Sequence, residues 1–272
     1  MSNEGMSEDL KMPKGETAPP SDGAPMRATL ASDELLRTAA DPALTEDLAL
    51  ALLKRADLPP EVIELLAKNA NALKGRKAKI ALASHPHTPR HVSVPLARQL
   101  YTFDLMKVAL SPSVPADVKV AVDDVLISRL ESVTIGERLA LARRASGRVA
   151  AALLLEGEVI GSKIIDAKTV ARKTRVMQAA LDNPRLTEAL VINSVLRPDA
   201  SPALVHAVAR HTKWSCRREI RAALLRTEHL SLARALEFSQ EIPAPWLQEL
   251  LASSRLPAKI KGQLLRESPT KS

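Results

Sequence analysis

NPRLTEALVINSVL, RPDASPALVHAVAR and HTKWSCRREIRAALL, which together make up residues 183–225, are three phrasings of one segment. Each opens on a polar or proline-bearing turn and runs into about ten residues of helical apolar spacing. Working outward, the turns begin at Asn183-Pro184, Arg197-Pro198, His211-Thr212, Arg226-Thr227, Gln240-Glu241 and Ser253-Ser254, so successive starts lie 13 to 15 residues apart. That step holds one short helix and a tight connection. Two steps give a helical hairpin of roughly 28 residues, the period of a stacked solenoid.

Composition agrees with this reading. Hydrophobic residues make up 46% of the 272 and aromatics only 2%, so the core must be aliphatic. Leucine and alanine are strong helix formers, and only 9 glycines interrupt them. The 19 prolines fit a repeat with a proline in or near each turn, where a missing N–H costs nothing. A single cysteine, Cys216, excludes an internal disulfide and a cysteine-rich metal site. No apolar run is long enough to span a bilayer, and the N-terminus lacks an apolar leader, so a cytoplasmic protein that is monomeric and has no membrane partner is expected. Residues 1–169 carry equal numbers of basic and acidic side chains, so the whole formal excess of +8 falls in residues 170–272. Such an excess is compatible with an anionic partner and also with plain solubility.

Along the chain, residues 1–30 contain Pro13, Pro19, Pro20 and Pro25 without apolar rhythm and read as a disordered tail. A helical solenoid is expected over 31–267, with an irregular connection near 156–162 and a frayed end at 268–272. Ser32 is placed to cap the first helix, Thr45 to cap Glu46 to Lys54, and Thr134 to cap Ile135 to Arg144. Leu48, Leu52 and Leu53 are expected on one buried face, a longer helix over Asp117 to Leu130, and another over Lys163 to Leu181. Isolated helices this short are marginal in water, so each needs neighbours on both sides. Equal steps then accumulate into an all-α, alpha-alpha superhelix, right- or left-wound.

The spacing of Ala179-Ala180-Leu181-Asp182-Asn183-Pro184 and of His206-Ala207-Val208-Ala209-Arg210-His211 resembles HEAT-like solenoids, most of all the leucine-rich repeat variant subgroup. That subgroup favours a small-residue helix end, an Asn-Pro or His-Pro turn and a second short helix. Asn183-Pro184, Ser111-Pro112, His85-Pro86 and Asp41-Pro42 stand in the turn, and Arg217-Arg218-Glu219-Ile220-Arg221 resembles the charged start of a HEAT second helix. The resemblance covers 176–256 and 35–130 and is poor through 131–175. It implies an all-helical fold in a class that serves mostly as binding scaffolds, with a few members that bind DNA or excise alkylated bases. The cysteine-bound iron–sulfur segment of some variant-group members has no counterpart in this chain.

Candidate chemistry is sparse. Lys213, Arg217, Arg218 and Arg221 crowd the helix expected after His211, with Trp214 beside them; guanidinium groups there could hold phosphates or carboxylates while the indole stacks. Arg138, Arg144 and Arg148 form a second basic cluster, and Arg172 and Arg175 continue it. The alternative reading of each is a solvated or internally paired face, with Trp214 packed between helices. His85, His87 and His91 suit zinc by residue type, yet prolines hold them in a turn and no carboxylate lies near in sequence, so no metal is expected. Tyr101-Thr102-Phe103-Asp104 offers aromatic walls and a carboxylate of the kind a base-excising enzyme uses. The resemblance would place an aspartate about four residues after a tryptophan, where this chain has Arg218 and Leu250. Gly157 to Lys163 lacks the pattern of a phosphate loop, and Asp123-Asp124 point apart on a helix. The expected function is a non-enzymatic scaffold for a protein partner, with no cofactor. The alternatives are a nucleic-acid-binding solenoid using a basic groove in residues 138–226, and a base-excising DNA repair enzyme.

Overall fold

The computed structural model describes residues 33–155 and 167–267, and among them there are helices and no strands. Helix α1 spans 33–40. It is followed by α2 (Glu46–Leu53), α3 (Pro60–Lys68), α4 (Arg76–Ala83), α5 (Arg90–Gln99), α6 (Thr102–Leu110) and α7 (Ala116–Ser128), which runs into a single 3-10 turn, Leu130–Ser132. Then come α8 (Ile135–Arg144), α9 (Gly147–Leu155), α10 (Ala167–Leu181), α11 (Glu188–Leu196) and α12 (Pro202–Arg210). The chain closes with α13 (Thr212–Ser215), α14 (Arg218–Leu225), α15 (Leu232–Ser239), α16 (Ala244–Ala252) and α17 (Ala258–Glu267). None of the described helices is long and apolar enough to cross a membrane. The expected tail at 1–30, the irregular connection at 156–162 and the end at 268–272 lie outside the described residues.

Local chemistry sets the helix starts. Thr45 and Ser201 accept from the backbone N–H three residues on, and Thr134 with Glu137 forms a full capping box. Pro59, Pro89, Pro115 and Pro243 are themselves N-caps, where a missing N–H is not costly. Pro95 stands inside α5, on its exposed side. The buried stripe of α2 is Ala49, Leu52 and Leu53, while Leu48 is 46% exposed. A stripe at i, i+3, i+4 is narrower than the i, i+4, i+5 set expected from sequence, and Ala49 brings α2 close to its neighbour.

Packing is local along the chain. One series of helices, α5, α7, α9, α11, α14 and α16, touch in that order. A second series touches as α2, α4 and α6, then α8, α10 and α12, then α15 and α17. Between the series lies an aliphatic core of leucine, valine and alanine, with Trp214 and Phe238 its largest members. Each leucine buried there contributes about 1.5–3 kcal/mol, which helices this short need to persist.

Polar side chains in the turns tie successive turns together. Asn69 accepts from Asn71 N–H and donates Nδ2 to the carbonyls of Ala39 and Asp41, 30 and 28 residues earlier. His85 Nδ1 accepts from His87 N–H, so Nε2 carries the proton and donates to Arg55 O, 30 residues earlier, at 2.8 Å. Ser254 accepts from Leu256 N–H and donates to Leu225 O, 29 residues earlier. Asn183, fully buried, accepts from Arg185 N–H and donates to Ala142 O and Ala145 O. There the separation widens to 41 and 38 residues, because residues 156–166 intervene between α9 and α10. The same turn comes so close to α9 that a Cβ on Gly147 would lie 2.3 Å from Arg185 O.

Two substitutions test these ties. Asn183→Asp keeps the acceptor but turns the donor into a charge facing two carbonyls, so it should destabilise more than Asn183→Ala, itself costing about 1–3 kcal/mol; urea unfolding would measure both, and equal losses would refute the donor role. Gly147→Ala should cost about 1–3 kcal/mol through the forced backbone shift, read as a lowered thermal midpoint.

Candidate partner-binding face

The outward side of α5, α7, α9 and α11 is not smooth. Small residues on α7 and α9, Ala121, Ala151 and Ala152, leave clefts between neighbouring helices. One cleft of about 480 Å³ lies between α5 and α7, walled by Val94, Ala121 and Val125, with Arg98, Ser128 and Arg129 at its rim. A second, of about 410 Å³, lies across α7, α9 and α11, floored by Ile127, Ala151, Ala152 and Leu155, with Asn193 and Arg197 on its far side. Asp124 of the first cleft and Arg148 of the second pair at 2.6 Å, so that one ion pair forms the ridge between them.

The charges on this face differ in their partners. Arg197 is engaged by Asp199 two residues on, whose carboxyl is held below its usual range by that hydrogen bond. Arg129 is fixed by donation to Leu100 O at 2.6 Å and Arg98 O at 2.5 Å, carbonyls that leave its charge uncompensated. Beneath the ridge, Asp123 is buried, with Oδ2 accepting from Ser146 and Oδ1 without a protein partner. Burial pushes its carboxyl above the ordinary range, and the Ser146 hydroxyl offsets this only in part.

The basic residues singled out by sequence lie on several elements. The helix expected after His211 is two: α13 ends at Ser215, and Arg217 is the N-cap of α14, outside the helix that carries Arg218 and Arg221. Just before the break, Trp214 is 1% exposed and donates Nε1 to Leu181 O at 2.9 Å, anchoring α13 in the core. Trp214 therefore presents no ring face for stacking; Lys213 and Arg217 cover it at 4.2 and 5.6 Å. Arg217 pairs with Glu188 at 2.8 Å, Arg218 lies over Trp246, and Arg221 lies against Glu241 and Phe238 while donating to Ser215 O. Arg148 is the ridge residue already described, and Arg138 donates to Glu131 O. Arg144, Arg172 and Arg175 are exposed on α8 and α10, away from the clefts.

The other candidates have structural partners. His85 and His87 are bound to backbone carbonyls, His91 lies 3.3 Å from Glu64, and no group of three or more potential ligands could hold a metal among the described residues. Asp104 is fully buried under a two-pronged bond from Arg76 at 2.6 and 2.8 Å, linking α4 to α6, while Tyr101 is 70% exposed. A carboxylate so engaged is not free to act on a base held by Tyr101. Residues 157–163 lie outside the described residues. Arg98, Arg129 and Asn193 escaped the sequence reading because they are isolated along the chain; the available signal was small residues on the outward face of α7 and α9. No family model, curated protein or solved structure matches this chain.

Asp123 supplies a pH test. Its raised carboxyl favours the protonated form in the folded state, so its contribution is greatest in acid and is lost as pH rises from the ordinary carboxylate range through the raised value. Asp123→Asn should raise the thermal midpoint at pH 7, and the gain should shrink as pH falls through the raised value and be gone by ~4; melts followed by circular dichroism at both pH values check this.

Proposed function

We propose that the chain is a HEAT-like alpha-alpha solenoid, continuous over 31–267, that serves as a non-enzymatic scaffold for another protein. Support for the architecture comes from the two series of touching helices and from turn-to-turn bonds 28 to 31 residues apart. The observation that carries the function is the face of α5, α7, α9 and α11. Apolar clefts with a polar and charged rim are what a protein partner buries. Nucleic acid is the lesser reading, because Arg148, Arg217 and Arg221 have carboxylate partners within the chain and Trp214 is covered. A phosphate-tracking surface needs such groups free and in one stripe.

The test is site-directed photo-cross-linking in the native cell. A photoreactive residue at Asn193 should give adducts that survive nuclease and disappear with protease, while the same residue at Gln178, on α10, should not. Adducts of equal yield from both positions, or none from Asn193, would refute the scaffold assignment.

A further inference from the structure

Resting on that scaffold reading, the geometry points to a partner class: we infer that the α5–α7 cleft is the anchor point for an acidic segment of a partner protein that also carries aliphatic side chains.

The argument starts from charge. Ion pairs engage Arg148 and Arg197 on this face, but Arg98 has no carboxylate partner among the described residues, and its carbonyl, not its guanidinium, is what Arg129 holds. Arg129 spends donors on two carbonyls, so its plane is fixed, its charge stays uncompensated, and further N–H groups remain. Asp124, the one acid at this cleft, is already committed to Arg148. A carboxylate entering between Arg98 and Arg129 therefore meets two positive groups, one of them preorganised, which lowers the ordering cost of binding.

The apolar half of the argument comes from the walls. Val94 and Val125 are half-buried beside those arginines, and beyond the ridge the floor is Ile127, Ala151, Ala152 and Leu155. Packed helices lie about 8–10 Å apart. Two such spacings separate α5 from α9, which a helical peptide covers in roughly eleven to thirteen residues, so an acidic residue seated at Arg98 would place an aliphatic one over Ala151 and Ala152 about three turns further on. Nucleic acid fits these clefts poorly. No aromatic side chain lines either one, whereas single-strand binding relies on stacking, and Asp124 sits in the path a phosphate backbone would follow.

A random peptide library displayed on phage and panned on the full chain is the experiment, followed by fluorescence anisotropy of enriched peptides with the native sequence, Arg98→Glu and Ser128→Trp. Ser128 is exposed at the cleft rim, and its hydroxyl bonds only Val125 O, so tryptophan fills the cleft without disturbing the core. Enriched peptides should combine acidic and aliphatic residues, and each variant should weaken them about tenfold or more, a loss typical of a desolvated charge contact, with unchanged thermal midpoints. Neutral or basic peptides, or acidic ones indifferent to both variants, would overturn the cleft assignment while leaving the Asn193 cross-links, and with them the scaffold reading, standing. Labelled duplex or single-stranded DNA bound in an Arg98-dependent manner would overturn the peptide assignment in favour of nucleic acid. An empty selection together with absent cross-links would overturn both.

Discussion

One side chain at the start of a turn performs two tasks: it accepts the N–H two residues ahead and donates to a carbonyl of the preceding turn. Asn69, His85, Asn183 and Ser254 all do this. His211 follows the same plan, accepting from Lys213 N–H and reaching Asp182 Oδ1 at 3.1 Å. Helices of eight to ten residues leave a large share of their terminal carbonyls unpaired, and a buried unpaired carbonyl is costly. A residue that both shapes its own turn and satisfies the last one solves that problem at these turns. The requirement is narrow, a short side chain or ring with one donor and one acceptor, and asparagine, neutral histidine and serine meet it.

Arginine performs a similar task with a longer side chain. Arg129, Arg185, Arg221 and Arg255 each donate to backbone carbonyls of another element. Arg76 and Arg217 instead reach carboxylates 28 and 29 residues away. In the basic second part of the chain, Arg185, Arg217, Arg221 and Arg255 are thus internal wiring. By composition the excess was compatible with an anionic partner and with plain solubility, and the placement of these guanidinium groups supports the localised acidic contact proposed above. On the candidate face, Arg98 makes no such internal commitment among the described residues.

Helix content, the rhythm of turns and the caps at Thr45 and Thr134 were all legible in the sequence, because each depends on residues within about four positions of one another. Leu48 was misplaced because local periodicity admits two overlapping stripes, and only the neighbouring helix selects the one through Ala49. The helix after His211 was misjudged for a similar reason: nothing nearby in sequence announces that Trp214 reaches Leu181 O or that the helix is interrupted at Cys216 and Arg217.

The candidate face was the least legible part. Arg98, Ser128, Arg148 and Asn193 have no common spacing in the chain, and they meet only because α5, α7, α9 and α11 lie side by side. By itself the sequence determined an all-helical chain of short, capped, aliphatic elements, since propensity, periodicity and turn chemistry are local. The tertiary structure decided which arginines are committed, that Trp214 is core, and where clefts open between helices. Those outcomes depend on contacts between residues some 30 positions apart, which no local pattern encodes.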